Sequence, residues 1–170
     1  MSTVPLEGAS VDEETESFEI FFRSTHADLF RALCLITGSR DEAEDIAQVA
    51  FIRVLERWER VRTMENPPGY LYRVSLNEFR SRRRRALRGI RQALGGGEPD
   101  HAFAGVEDRD ELVRAFRHLP SQQRASLVLT GLLGYSSEEA GDRLGISPSA
   151  VRAHASKARD AIRDRSEDDR

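Results

Sequence analysis

Apolar positions recur at three- and four-residue spacings through most of the 170-residue chain, the period that keeps one face of a helix inward. Phe18, Phe21, Phe22, Leu29, Leu33 and Ile36 predict a first helix that ends near Gly38. Ser39 followed by Glu42 is a capping box, and the helix it starts carries Ala43, Ile46, Ala47, Ala50, Phe51, Val54, Leu55 and Trp58 on a broad buried face. The other face presents Asp45, Gln48 and Arg53, an arrangement that an ordinary solvated surface also explains. Asn66 can cap a further helix and Pro67 fits its first position; Tyr70, Leu71, Val74 and Phe79 give that helix its apolar contacts. Valines and isoleucines occur singly at helical spacing, so the expected fold class is all-α.

The periodicity breaks once, at Gly95-Gly96-Gly97, Pro99 and the acidic stretch 107–111. A triglycine can cradle phosphate, but no strand precedes this one and no Gly-Lys-Ser/Thr follows it, so it reads as a flexible linker. The expected organisation is a flexible acidic tail (1–15), a helical domain (16–94), the linker (95–108), a second helical domain (109–165) and a frayed end (166–170). Within the second domain, Leu112, Ala115, Phe116 and Leu119 predict a short helix closed by Pro120, and Leu127, Val128, Leu129, Leu132 and Leu133 another. Two more follow, completing a four-helix unit. Ser136 with Glu139 is a capping box, Leu144-Gly145-Ile146 a short turn, and Ser147 with Pro148 a new helix start whose inner line is Val151, Ala155, Ala158 and Ile162. Two short helices around a glycine turn have the shape of a helix-turn-helix, whose second helix enters the DNA major groove. Ser149, Arg152, Ser156, Lys157 and Arg159 lie on its outer side. A plain helical hairpin with a solvated basic face fits the same pattern.

Charge changes the picture. Charged residues make up 32% of the chain, yet the formal net charge is only -3 because the signs are segregated. Glu7, Asp12, Glu13, Glu14 and Glu16 precede the first basic residue, Arg23, whereas Arg80, Arg82, Arg83, Arg84, Arg85, Arg88 and Arg91 crowd the middle. Guanidiniums at that density cannot all be buried, since too few acids lie nearby to pair with them. With Tyr70, Tyr72 and Asn77 ahead of them they suit nucleic acid, arginines on phosphates and aromatic or amide groups on unstacked bases. Cys34, the single cysteine, falls in an apolar helical pattern and reads as a small core residue. His26, His101, His118 and His154 are scattered and form no metal-binding motif, so neither a catalytic residue, a metal nor a cofactor is expected. No apolar run approaches the roughly 20 residues that span a bilayer, and the acidic N-terminal stretch is unlike a signal peptide; a cytoplasmic protein without membrane insertion is expected.

Three stretches together resemble one family in order, the extracytoplasmic-function (group 4) sigma factors of the bacterial sigma-70 family. RDEAEDIAQVAFIRVLERW (40–58) is similar to the helix with which that family docks on RNA polymerase. PPGYLYRVSLNEFRSRRRR (67–85) is similar to the helix and basic extension that open and hold the -10 promoter element. LPSQQRASLVLTGLLGYSSEEAGDRLGISPSAVRAHASKAR (119–159) is similar to the domain that reads the -35 element. The resemblance implies a non-enzyme that binds core RNA polymerase, recognises both elements and assists promoter melting, with polymerase owning the chemistry. It implies polymerase contacts at Asp45, Gln48 and Arg53, and DNA contacts at Asn77, Arg80, Arg82, Arg83, Arg84 and Arg85. The loop 61–66 would receive a flipped base, and Ser149, Arg152, Ala153, Ser156 and Lys157 would form the -35 reading face. An anti-sigma protein covering the basic and docking faces is implied in the same way. The chain departs from the family at Ala140-Gly141, usually Ile-Ala; at Ser149-Ala150-Val151, often Gly-Thr-Val; at Lys157, usually arginine; and at Tyr70, usually tryptophan. Lysine keeps the charge but not the planar fork suited to guanine.

Overall fold

The computed structural model describes residues 8–93, 115–116 and 118–168. Helix α1 (Gly8–Thr37) packs along α2 (Arg40–Leu55), and α2 in turn packs on α4 (Pro67–Ala93), with the short α3 (Trp58–Val61) closing one end. The core between them is apolar and dense: Leu29, Leu33 and Ile36 from α1, Ala43, Ile46, Ala50 and Val54 from α2, and Leu71 and Leu76 from α4 are all buried. Aromatic rings fill the α3 end. Trp58 stands edge-on to Phe18 at 5.3 Å between ring centroids, and its indole N–H donates to Ser17 Oγ at 2.8 Å.

Local sequence chemistry explains most of the boundaries and several differences from the expected ones. The first helix begins at Gly8, taking in half of the stretch expected to be a flexible tail; no proline or glycine interrupts the chain from Ala9 to Thr37. Ser39 caps α2 by accepting from the Glu42 N–H, but the reciprocal half of the box is taken over: the Ser39 N–H donates to Thr37 Oγ1 at 3.1 Å. The helix expected to carry Trp58 stops at Leu55, and Trp58 opens α3 instead. Phe22 and Leu55, expected inside, are exposed. Asn66 caps α4 as expected, its Oδ1 accepting from the Gly69 N–H at 2.8 Å.

The C-terminal unit is α5 (Ser121–Leu127), a π-helical turn (Val128–Leu132), α6 (Ser137–Leu144) and α7 (Pro148–Asp168). The wide turn is visible in the Leu133 N–H bond to Val128 O at 3.0 Å, one residue longer than an α-helical bond. Phe116 and Leu119 are buried here, whereas Leu112 and the linker 95–108 lie outside the described residues. Helix α7 packs on both α5 and α6, and it continues to Asp168, past the point where fraying is expected. Alternating charge there permits pairs one turn apart, such as Arg163 with Asp160 at 3.0 Å.

The two units touch through α1 with α5 and α4 with α6. Arg124 of α5 is the buried fastening: its guanidinium donates to Ile36 O at 3.2 Å, Thr37 O at 3.1 Å and Leu119 O at 2.6 Å. Two of these carbonyls end α1, where acceptors lack helical partners and the dipole favours a cation.

Candidate polymerase and nucleic-acid interfaces

On α2 the buried face leaves Asp45 and Gln48 pointing outward, Asp45 with 63% of its side chain exposed. Ile52 and Leu55 are also exposed. At spacings of three, four and three from Asp45, these four residues share one stripe, half polar and half apolar. Sequence reasoning missed Ile52 and placed Leu55 on the wrong side, although the spacing from Asp45 carried the signal. Arg53, expected on the polar face toward polymerase, stays exposed while making an ion pair to α4: its Nη2 lies 2.9 Å from Glu78 Oε2.

Glu78 is the second residue that sequence reasoning passed over. It sits on α4 at the contact with α2, with 7% of its side chain exposed, and it gathers three arginines. Besides Arg53, Arg82 Nε reaches Oε1 at 3.1 Å and Arg85 Nη2 reaches it at 3.2 Å. Burial pushes the Glu78 carboxyl up, but the hydrogen bonds and charges of Arg82 and Arg53 outweigh it and hold the group below the usual carboxylate range. Glu42 goes the other way, raised chiefly by burial against the opposing charges of Arg82 and Arg124. Arg82 also reaches Asp45 Oδ2 through Nη1 at 3.2 Å. The α2 stripe and the arginine run therefore meet at one side chain.

The remaining α4 candidates are placed unevenly. Asn77, Arg84 and Arg85 are exposed, Arg83 is half-buried, and Arg80 is half-buried under the turn of the C-terminal unit. Gly145 covers it so closely that a Cβ there would overlap the Arg80 guanidinium. Tyr70 accepts from Arg57 Nη1 at 3.3 Å and lies under the Arg73 guanidinium, 5.1 Å from its ring centre, so the position that departs from tryptophan uses its hydroxyl. Of the expected loop 61–66, Val61 ends α3 and is buried, and residues 62–66 join α3 to α4 with Arg62, Thr63, Glu65 and Asn66 exposed.

The helix-turn-helix forms as its sequence dictates. Ser136 Oγ accepts from the Glu139 N–H at 3.1 Å while Glu139 Oε2 accepts from the Ser136 N–H at 2.9 Å, and those bonds lower the Glu139 carboxyl from its ordinary value. Gly145 then takes a left-handed conformation at φ 69°, and Ser147 Oγ accepts from the Ala150 N–H at 3.2 Å to start α7. Gly141, where the family usually has alanine, has a steric reason. A Cβ at 141 would lie 2.8 Å from Ile146 O, because the turn folds back over it and the Gly145 and Ile146 N–H groups both bond Gly141 O. Val151, Ala155 and Ala158 are buried against α5 and α6, leaving Ser149, Arg152, Ala153, Ser156 and Lys157 exposed together. Arg152 Nη1 lies 3.5 Å from Glu138 Oε1, a loose pair in which both side chains are mostly exposed.

No group of His, Cys, Asp and Glu suited to a metal occurs among the described residues, and no described helix is long and apolar enough to cross a membrane. Cys34 is half-buried, and burial is the main cause that pushes its thiol up to about 11, far from a reactive thiolate.

Comparison with known proteins places both units. Residues 21–89 match Sigma-70 region 2 and residues 109–162 match Sigma-70, region 4. The chain is 30% identical over 151 residues to the ECF RNA polymerase sigma factor SigE of Mycolicibacterium smegmatis, covering 82% of this chain and 58% of that protein. It is 28% identical over 159 residues to the ECF RNA polymerase sigma factor SigM of Mycobacterium tuberculosis, covering 93% and 81%. It is 26% identical over 136 residues to the ECF RNA polymerase sigma factor EcfG of Rhodopseudomonas palustris, covering 75% and 72%. Among solved structures, the sigma factor RpoE in complex with the anti-sigma factor NepR from Bartonella quintana shares the fold, with a TM-score of 0.65 at 21% identity over 91% of this chain and 99% of that one. With both regions present in order on an all-helical, two-unit fold, the chain belongs to the extracytoplasmic-function group of the sigma-70 family, alternative sigma factors that bind core RNA polymerase and promoter DNA.

Proposed function

We propose that the α2 stripe of Asp45 and Gln48, extended by Ile52 and Leu55, docks this sigma factor on core RNA polymerase, and that two separate surfaces handle the promoter. Asn77 and the arginines from Arg80 to Arg85 on α4 hold the -10 element and assist melting; Ser149, Arg152, Ala153, Ser156 and Lys157 on α7 read the -35 element. Capturing unstacked bases offsets the few kcal/mol that unstacking costs, so strand opening is driven by binding and no chemistry by this chain is required. Arg53 acts here through Glu78, as a brace between α2 and α4, and its part in docking is indirect. An anti-sigma protein that covers the docking and basic faces is the third partner we infer.

The observation that carries this reading is the outward grouping of the α7 residues on a chain that also has a region 2 unit with an exposed α2 stripe. A stand-alone helix-turn-helix regulator would have no use for that stripe. Replacing Asp45 and Gln48 together by alanine should weaken binding to core polymerase at least several-fold in a direct titration while leaving the fold nearly intact, as exposed substitutions usually do. Unchanged polymerase affinity would remove the docking role.

A further inference from the structure

We propose that Arg82 is a shared group: Asp45 holds it in the free protein, docking on polymerase releases it to promoter phosphate, and Glu78 is the positioning residue that keeps its guanidinium between the two. The proposal rests on the docking role of Asp45 and the DNA role of Arg82 given above.

The geometry is a chain of charges running from the core outward. Arg53 and Arg85 flank the Glu78 carboxylate, Arg82 Nε is fixed on Glu78 Oε1, and Arg82 Nη1 reaches across to Asp45 Oδ2. Exposure decides which bond yields. Glu78 keeps only 7% of its side chain in contact with solvent, so its carboxylate depends on its arginines; Asp45 keeps 63%, so water or another cation can replace Arg82 at little cost. A guanidinium presents its donors in a rigid fork, so with Nε held by Glu78 the Nη groups stay aimed outward when Asp45 lets go. Phosphate is then the anion that meets them. A polymerase cation that engages Asp45 and a phosphate that engages Arg82 each free the partner of the other. By linkage the two binding events must therefore strengthen one another by the same factor. Loss of a largely exposed ion pair sets that factor at about two- to fivefold.

The test is a double-mutant cycle on the full chain, read by the anisotropy of a labelled mixed-sequence single-stranded DNA and by titration with core polymerase. Asp45→Asn in the free chain should tighten DNA binding by about two- to fivefold, with no tightening in an Arg82→Gln background. Asp41→Asn, an exposed acid one turn earlier on α2, measures the general effect of removing one negative charge. Arg82→Gln alone should tighten core binding by the factor found for DNA. In Glu78→Gln, checked for folding by circular dichroism, the Asp45 effect should shrink toward that of Asp41. If that variant does not fold, the Asp45 and Arg82 cycle still decides. Equal tightening by Asp45→Asn with and without Arg82, or no more than Asp41→Asn gives, overturns the sharing. Core affinity untouched by Asp45→Asn overturns the docking role beneath it, and is recognised from the polymerase titration alone.

Discussion

The two basic surfaces of this sigma factor are built on opposite principles. On α4 part of the arginine run is tied down: Arg82 and Arg85 pair with a buried carboxylate, and Arg80 is covered by Gly145. On α7 the residues proposed to read the -35 element stand in solvent, and the contact made by Arg152 with Glu138 is a 3.5 Å pair between two exposed side chains. A tethered arginine is pre-positioned but must exchange partners before it meets phosphate, so its effect depends on the state of the rest of the protein. An exposed face needs no such exchange, so any discrimination it supplies is set by its own side chains.

The largest effect expected is on salt dependence. Replacing Arg82, Arg83 and Arg84 by glutamine should lower affinity for all promoter sequences together, and if all three meet phosphate in the holoenzyme the slope of log affinity against log salt should fall by roughly two to three units. In the free chain, where Arg82 is engaged by Asp45 and Glu78, the fall should be smaller by about one unit. Identical slope changes in both states would erase the contrast between tethered and exposed surfaces.

Next in size is Gly141→Ala. The added methyl meets the Ile146 carbonyl, a backbone atom that cannot swing aside, so overpacking should cost about 1–3 kcal/mol in the stability of the C-terminal unit. Thermal melting checks the cost. Selective recognition by α7 should decline while the polymerase affinity of α2 persists.

Arg152→Ala probes the exposed α7 surface. A base-edge contact carries about 1–3 kcal/mol of discrimination, so this variant should lose preference between matched and scrambled -35 duplexes more than it loses salt slope. Equal weakening on both duplexes would make Arg152 a phosphate contact.

The smallest effect concerns pH. Glu78 has a carboxyl lowered in the folded protein, so its contribution to stability is fully present above the ordinary carboxylate range and is lost as pH falls through its folded value. Glu78→Gln should therefore flatten part of the acid limb of a stability-against-pH curve and leave its shape near neutrality unchanged. An acid limb identical to that of the parent chain would mean that Glu78 gains nothing from its arginines.

Local signals made most of the secondary structure legible. Ser136 with Glu139, Gly145, and Ser147 with Pro148 each fix a helix end by bonds within a few residues, and each forms as expected. The Leu119–Arg159 stretch likewise carried its family in plain view. What stayed hidden depends on packing between distant segments. Nothing near Arg124 says that it will reach carbonyls 87 and 88 residues away, and Glu78 reads as one more surface acid beside an arginine run until α2 is laid against it. Leu55 was misplaced for the same reason: periodicity gives a face, but the helix ends at Leu55 and the partner surface ends with it. Gly141 stood out only as a departure from the family, because the constraint that calls for glycine comes from Ile146 across the turn.

A chain that joins polymerase docking to promoter selection directs where transcription starts. The most direct test of that role mixes the purified chain with core polymerase and a genomic DNA library and maps transcript starts with and without the Asp45→Ala/Gln48→Ala change. A defined set of starts that share upstream elements should appear only with the chain present and fade in the variant as polymerase affinity falls. Starts that are the same with and without the chain, or DNA binding by the chain that never directs polymerase, would contradict that role.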